Sequence, residues 1–406
     1  MKRAFVVVDL GFGDCGKGLL TDYLVRRHEA SLVVRYNGGA QAGHNVVTED
    51  GRHHTFAQLG AGSFVPGVRT FLSRHVVIHP AALLVESAAL EQKGVSRPME
   101  RVFISDSARV ITPFHQSANR LRELSRGDFR HGSCGVGVGE TVADSIAHPD
   151  ETVRAGDLRS RSEVAKKLHR IRDRKREELR ALTSLPDREW QVFTNDELVD
   201  AWIDQVQPVV SSIVSDDWLD RSADENVVFE GAQGVLLDER FGFHPYTTWS
   251  NCTADNAREL AGSQVEVIGV LRAHAVRHGP GPFPSERPEL RFKEHNALND
   301  WQGAVRYGLF DAVLARYALD VCRVDRLAIT HLDQAPSAHV SSYEGGVHRL
   351  DLPGTFQAQE QLAQRLARVK PVVRPHEDPI AAVEELLDRR VDLTGSGPTA
   401  RNVTER

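Results

Sequence analysis

A chain of 406 residues, 41% hydrophobic and 26% charged with a formal net charge of −6, is long enough for one large domain or two ordinary ones. Its composition is that of a globular chain, and the acidic balance excludes the electrostatic footprint of a nucleic-acid binder. The cysteines Cys15, Cys134, Cys252 and Cys322 form no CxxC pair, which fits a reducing cytoplasm rather than a disulfide or zinc framework, and no apolar run reaches the roughly 20 residues that span a bilayer.

In chain order, Ala4–Leu10 reads as a buried strand, its apolar stretch too short for a signal peptide. A glycine loop (Gly11–Gly18), a helix (Leu19–Arg27) and a second strand (Ser31–Arg35) follow, a βαβ unit that implies a parallel sheet. Further strand candidates are 75–80, 101–105, 226–231, 265–271 and 326–333, most of them separated by helical stretches. The expectation is an α/β fold, a large and mostly parallel twisted sheet flanked by helices, with the site on the loops at the strand carboxyl ends. Residues 158–186 form a highly charged helical segment; the acids interleaved with its bases favour a solvated amphipathic helix over a nucleic-acid helix.

The loop "GFGDCGKG" satisfies G-x-x-x-x-G-K between a strand and a helix, the setting that a phosphate loop requires and a chemically idle turn does not. Glycines let backbone N–H groups turn onto phosphate oxygens, the helix directs its positive end at them, and Lys17 adds a point charge. The Ser or Thr that ordinarily follows the lysine and holds Mg²⁺ is here Gly18, so Asp14 is the candidate hard oxygen ligand. In "RYNGGAQAGHNVV" (35–47), His44 is a general-acid candidate among glycines.

With these two segments the chain resembles the adenylosuccinate synthetase family, which carries GDEGKGK and RYxGGxNAGH in the same order. The resemblance continues through "HVVIHPAALLVE" (75–86), "ITPFHQ" (111–116), "GSCGVGVG" (132–139), "FEGAQGVLLDERFGFHPYTTWSN" (229–251), "GVLRAHAVRHGPGPFPSE" (269–286; family GVxKAYxTRVGxGPFPTE), "ITHLD" (329–333) and "GSGP" (395–398). It implies one domain over 1–406, with the charged helical insertion at about 158–186 and a base-covering segment at about 390–406. It also implies a GTP- and Mg²⁺-dependent ligase that phosphorylates the six-oxygen of IMP and joins aspartate there, and a homodimer with neither nucleic acid nor membrane as partner.

Position by position, the resemblance makes Asp14, His44, Lys17 and Gln233 catalytic. GTP would meet Gly13, Cys15, Gly16, Lys17, Gly18, Gly43, Arg306, His331, Asp333, Gly395, Ser396 and Gly397. The purine nucleoside monophosphate would meet Asp14, Gln41, Ala42, Cys134, Gln233 and Thr248, with His148 where the family's partner subunit extends an arginine. Aspartate would meet Arg306 and Arg277, and Mg²⁺ would take Asp14 and the Gly43 carbonyl.

Departures from the family pattern fall inside this set. Cys15 replaces a Glu, as a small filler or an acidified thiol; Cys134 replaces a Thr, Val136 an Arg or Lys, and His331 a Lys. In "WQGAVRYGLFD" (301–311), Gly303 and Val305 stand where TGRxRRxGW has arginines that clamp aspartate, and only Arg306 stays in register. An altered amine or acceptor nucleotide is therefore the alternative to the adenylosuccinate reaction.

Overall fold

The computed structural model describes residues 1–127, 130–182, 186–222, 225–262, 264–294, 298–299 and 301–406. Among them β1 (Arg3–Asp9) is the centre of a ten-stranded sheet. On one side it pairs with Asn226–Glu230, followed by β2 (Leu32–Arg35), Arg69–Leu72, Val102–Ser105 and Ile213–Val214; on the other come Glu266–Arg272, Arg326–Thr330, Leu393–Gly395 and Val403–Glu405. Every pairing is parallel except that of the last strand, which turns back antiparallel on Leu393–Gly395.

The central strands are apolar throughout because both faces are covered. From β1, Phe5 and Val7 pack with Leu19, Leu20 and Leu24 of α1 (Lys17–Arg27), whereas Ala4, Val6 and Val8 enter the cluster of the helix Ala312–Val321. A third core, around Phe56, Phe114 and Phe193, lies under the helices Pro80–Gln92, Pro113–Ser125 and Arg161–Glu178. A smaller four-stranded sheet runs in the order His274–Arg277, Arg306–Asp311, Ala338–Tyr343, Pro371–Pro375.

The expected α/β fold is present. Of 75–80 only Val77–Ile78 is extended, and it pairs with Arg109–Val110 outside the large sheet, because Pro80 starts a helix capped by His79. Within 158–186 the helix is Arg161–Glu178; it buries Val164, Leu168, Ile171 and Lys175 and turns most of its other charges outward, while 183–185 lie outside the described residues. No described helix is long and apolar enough to cross a membrane.

Candidate active site

The carboxyl end of β1 delivers Asp9 into the glycine loop. Its buried carboxylate accepts hydrogen bonds from the amides of Gly11 (2.9 Å), Gly13 (3.3 Å) and Cys15 (2.9 Å) and from Lys17 Nζ (2.6 Å). Burial alone would lower the Lys17 pKa, but Asp9 more than compensates and holds it above the ordinary value. The loop is thus wound round an internal anion before any ligand arrives. The Cys15 thiol is packed inward, and burial together with Asp9 pushes its pKa well above the thiol range. Of the two readings of Cys15, this inward packing favours the small filler.

Gly18 has a steric cause. A Cβ there would stand 2.8 Å from the Asn45 carbonyl oxygen and 3.1 Å from His44, because α1 packs tightly on the strand His44–Val47. A serine or threonine would displace the histidine that the loop needs beside it.

His44 is fixed by Glu230, at the end of its own strand: Nδ1 donates to Oε1 at 2.6 Å, and the other Glu230 oxygen accepts from the Ala61 amide. Burial pulls the His44 pKa below its ordinary value, against the upward pull of Glu230. Asp14, at φ 58, and Gln233, at φ 55, both occupy the left-handed region, the kind of backbone strain that persists where surrounding contacts over-determine a functional side chain. Asn37 ties the Gln233 loop to the segment at Asn251: its side chain donates to the carbonyls of Ala232 (3.2 Å) and Asn251 (2.8 Å) and accepts from the Ala232 amide (2.7 Å).

Asp14 meets His278, whose Nε2 lies 3.1 Å from Oδ2. Burial raises the Asp14 pKa, but the hydrogen bond and charge of His278, with Lys17 and Arg272, outweigh it and bring the group down to about 2. Asp14 is therefore ionised at neutral pH.

These side chains open into one cavity of about 1010 Å³, which brings together Gly13, Asp14, Lys17, Gln41, Ala42, Gly43, His44, Cys134, Gln233, Thr248 and Arg277. The Oε1 atoms of Gln41 and Gln233 and Nδ1 of His278 are buried there without a hydrogen-bond partner, a cost that a polar ligand would relieve. Cys15, Gly16 and Gly18 do not line this cavity. His331 and Asp333 follow the strand Arg326–Thr330, and Gly395 lies on its neighbour, so these residues, with Ser396 and Gly397, form a separate group beside α1.

Arg306 is not directed into the cavity. It makes a forked pair with Glu286 (2.8 and 2.5 Å) and donates to the carbonyls of Gly279 (3.1 Å) and Gly281 (3.0 Å). His148 ends the helix Val138–Ala147 and does not line this chain's own cavity; the expectation for it concerned a partner's site. With Asp144 and Glu178 it has the spacing of a metal cluster, but Arg174 and Lys175 already hold Asp144, at 2.6 and 2.9 Å, so the group is an ion-pair network.

A sequence model of adenylosuccinate synthetase matches residues 6–341. The chain belongs to the adenylosuccinate synthetase family. The adenylosuccinate synthetase of Pseudomonas entomophila is 32% identical, covering 100% of this chain and 98% of its own, and that of Pseudomonas syringae is 31% identical over the same shares. Among solved structures, a fully ligated adenylosuccinate synthetase from Plasmodium falciparum superposes with a TM-score of 0.81 at 21% identity, covering 99% of each chain. A cyanophage S-2L succinoaminodeoxyadenylate synthetase, bound to dGMP and dATP as an energy donor, gives 0.63 at 19% identity, over 100% of this chain and 95% of its own. The chain is thus an adenylosuccinate-synthetase-like ligase.

Asp9, Glu230 and His278 are the residues that sequence reasoning missed. An acid closing each of the apolar runs "FVVVD" and "NVVFE" was a usable signal, since a buried strand end tolerates a carboxylate only with partners. His278 stands where the family pattern quoted above has valine.

Proposed function

We propose that this chain uses GTP to phosphorylate the six-oxygen of a purine nucleoside monophosphate, IMP in the first instance, and then replaces that oxygen with an amine nitrogen. The convergence of Asp14, Lys17 and His44 with the unpartnered amides of Gln41 and Gln233 on one cavity carries this reading. As the six-oxygen attacks the terminal phosphorus, the O–P bond forms, the bond to the departing GDP oxygen breaks, and the base N1 proton passes to Asp14. Asp14 is ionised beforehand, so it is ready to accept. His44, oriented through Nδ1 by Glu230, presents Nε2 to the departing oxygen. The amine lone pair then attacks carbon six, phosphate leaves with the electrons of the C–O bond, and the amine loses a proton to solvent.

Mg²⁺ fits this donor set, since the ionised Asp14 carboxylate and Gly43 line the same cavity, and when bound it would neutralise charge on the triphosphate. Gln41, Gln233 and Thr248 would hold the acceptor nucleotide, and His331, Asp333 and Gly395–Gly397 the guanine. A homodimer, with His148 facing the partner's acceptor site, belongs to the same reading.

The first reading of the amine is aspartate, as the relatives' names imply. The commitment of Arg306 to Glu286 favours a second, in which the activation step is kept and the amine differs. That a cyanophage synthetase of this fold is bound to dGMP and dATP supports variation in the acceptor nucleotide as well.

The test is incubation with GTP, Mg²⁺, IMP and aspartate, scored for adenylosuccinate with matching GDP and phosphate. Turnover only with another purine nucleotide would reject IMP, and no phosphate release with any acceptor would reject the ligase. Asp14→Ala and His44→Ala should each cut turnover by roughly a hundredfold or more; a near-normal rate in either variant removes that residue from the mechanism.

A further inference from the structure

We propose that the amine substrate of this enzyme carries no second carboxylate: it is an uncharged or monocarboxylate amine, not an aspartate-type dicarboxylate. This rests on the ligase reading above and names the chemistry of its second substrate. The balance of charge around the cavity points there. Its cationic lining residues among the described residues are Lys17, Arg126 and Arg277, with His278 already held by Asp14 at 3.1 Å, against Asp14, Glu123, Glu140 and Glu239.

Each of the three cations is already committed. Lys17 lies 2.6 Å from Asp9, and Arg126 is paired with Glu123. Arg277 donates to the carbonyls of Pro280 (3.1 Å) and Pro282 (2.8 Å), and its guanidinium lies 4.3 Å from the centre of the Phe12 ring. Burial lowers the Arg277 pKa to about 9, which leaves the guanidinium charged at neutral pH, but its donors are spent on these two carbonyls.

Two neighbouring arginines, Arg306 and Arg272, do not make up the deficit. Arg306 is held by Glu286 and two carbonyls. Arg272 is held by Glu294 and the Asp14 carbonyl. Neither lines the cavity. At the hairpin of Leu298–Asn299 with Gly303–Ala304, Gly303 and Ala304 are exposed and carry no donor side chain, and Gln302 closes against the cavity wall through a 2.9 Å bond from Nε2 to the Gly132 carbonyl. Two carboxylates brought beside a nucleotide phosphate need paired charge-assisted donors to offset their desolvation. Among the described lining residues these walls offer neither paired cationic donors nor net positive charge, whereas an amine with one carboxylate or none makes no such demand.

The test has two arms. In the first, GTP labelled at its β–γ bridging oxygen is incubated with Mg²⁺ and a purine nucleoside monophosphate, without amine, and positional isotope exchange reports reversible phosphoryl transfer. In the second, GDP release and the six-substituted product are followed with aspartate, glycine, alanine, ethanolamine and ammonia. The expected result is exchange in the first arm and, in the second, a kcat/KM for aspartate about tenfold to a hundredfold below that of the best other amine, the deficit of one charged hydrogen-bonded clamp. A Gly303→Arg, Val305→Arg double variant should lower the aspartate KM by a similar factor. Exchange with aspartate as the best amine, or with no product from the other four, overturns this inference and leaves the ligase standing. No exchange with any purine nucleotide overturns the ligase, and the inference with it.

Discussion

The two ends of the cavity are built on opposite terms. At the phosphate-loop end, Asp9 collects the amides of Gly11, Gly13 and Cys15 and the ammonium of Lys17, while Glu230 holds His44. At the acceptor end, buried oxygens of Gln41 and Gln233 have no partner, and the arginines nearby are turned to internal carbonyls and carboxylates. Stability and catalysis should therefore fall together at the first end and separate at the second, since a satisfied buried network loses both when broken and an orphaned amide contributes only to a ligand.

The strongest way to break this contrast is Asp9→Ala. It strands a buried ammonium and the loop amides, so it should cost about 3–5 kcal/mol in urea unfolding and abolish phosphate release. Near-native stability would show that the loop stands without its internal anion.

A pH experiment addresses the smaller sheet behind the acceptor wall. Asp311 caps the helix Ala312–Val321 and accepts from the Tyr343 hydroxyl, yet burial lifts its pKa from 3.8 to about 6. The folded state binds this proton more tightly than the unfolded chain does. Its contribution is therefore complete below about pH 4 and disappears as pH rises to about 6, a change of about 3 kcal/mol. The stability of wild type relative to Asp311→Asn should fall across that window; a flat difference would refute the assignment.

Gly18→Ser restores the hydroxyl of an ordinary phosphate loop. It should destabilise by about 1–3 kcal/mol through overpacking against Asn45 and His44, and lower turnover with it. A stable, more active variant would overturn the steric account.

The smallest stability change should come from Gln41→Leu. Removing an unpartnered buried oxygen should alter unfolding by less than about 0.5 kcal/mol, while the KM for the nucleotide acceptor rises about tenfold. Parallel loss of stability would erase the difference between the two ends.

Much of this was legible in the chain itself. The apolar run of β1, the glycine loop and α1 announce themselves locally, because strand burial, backbone freedom and helix start are short-range properties. Ordered motifs then identified Asp14, Lys17, His44, Gln41 and Gln233, which do share one cavity. Short pieces such as Ile213–Val214, and the strands of the smaller sheet, escaped because they are extended only through long-range pairing.

The residues around 9–18 determined a phosphate loop lacking its usual hydroxyl, and nothing beyond the chain order was needed to see it. Which partners its charges take was decided by tertiary structure. Asp9 faces Lys17, Glu230 reaches His44 across 186 positions, and Arg306 turns to Glu286 instead of the cavity. A side chain's charge is written in the sequence, but the groups that neutralise it depend on which strand ends the sheet brings together.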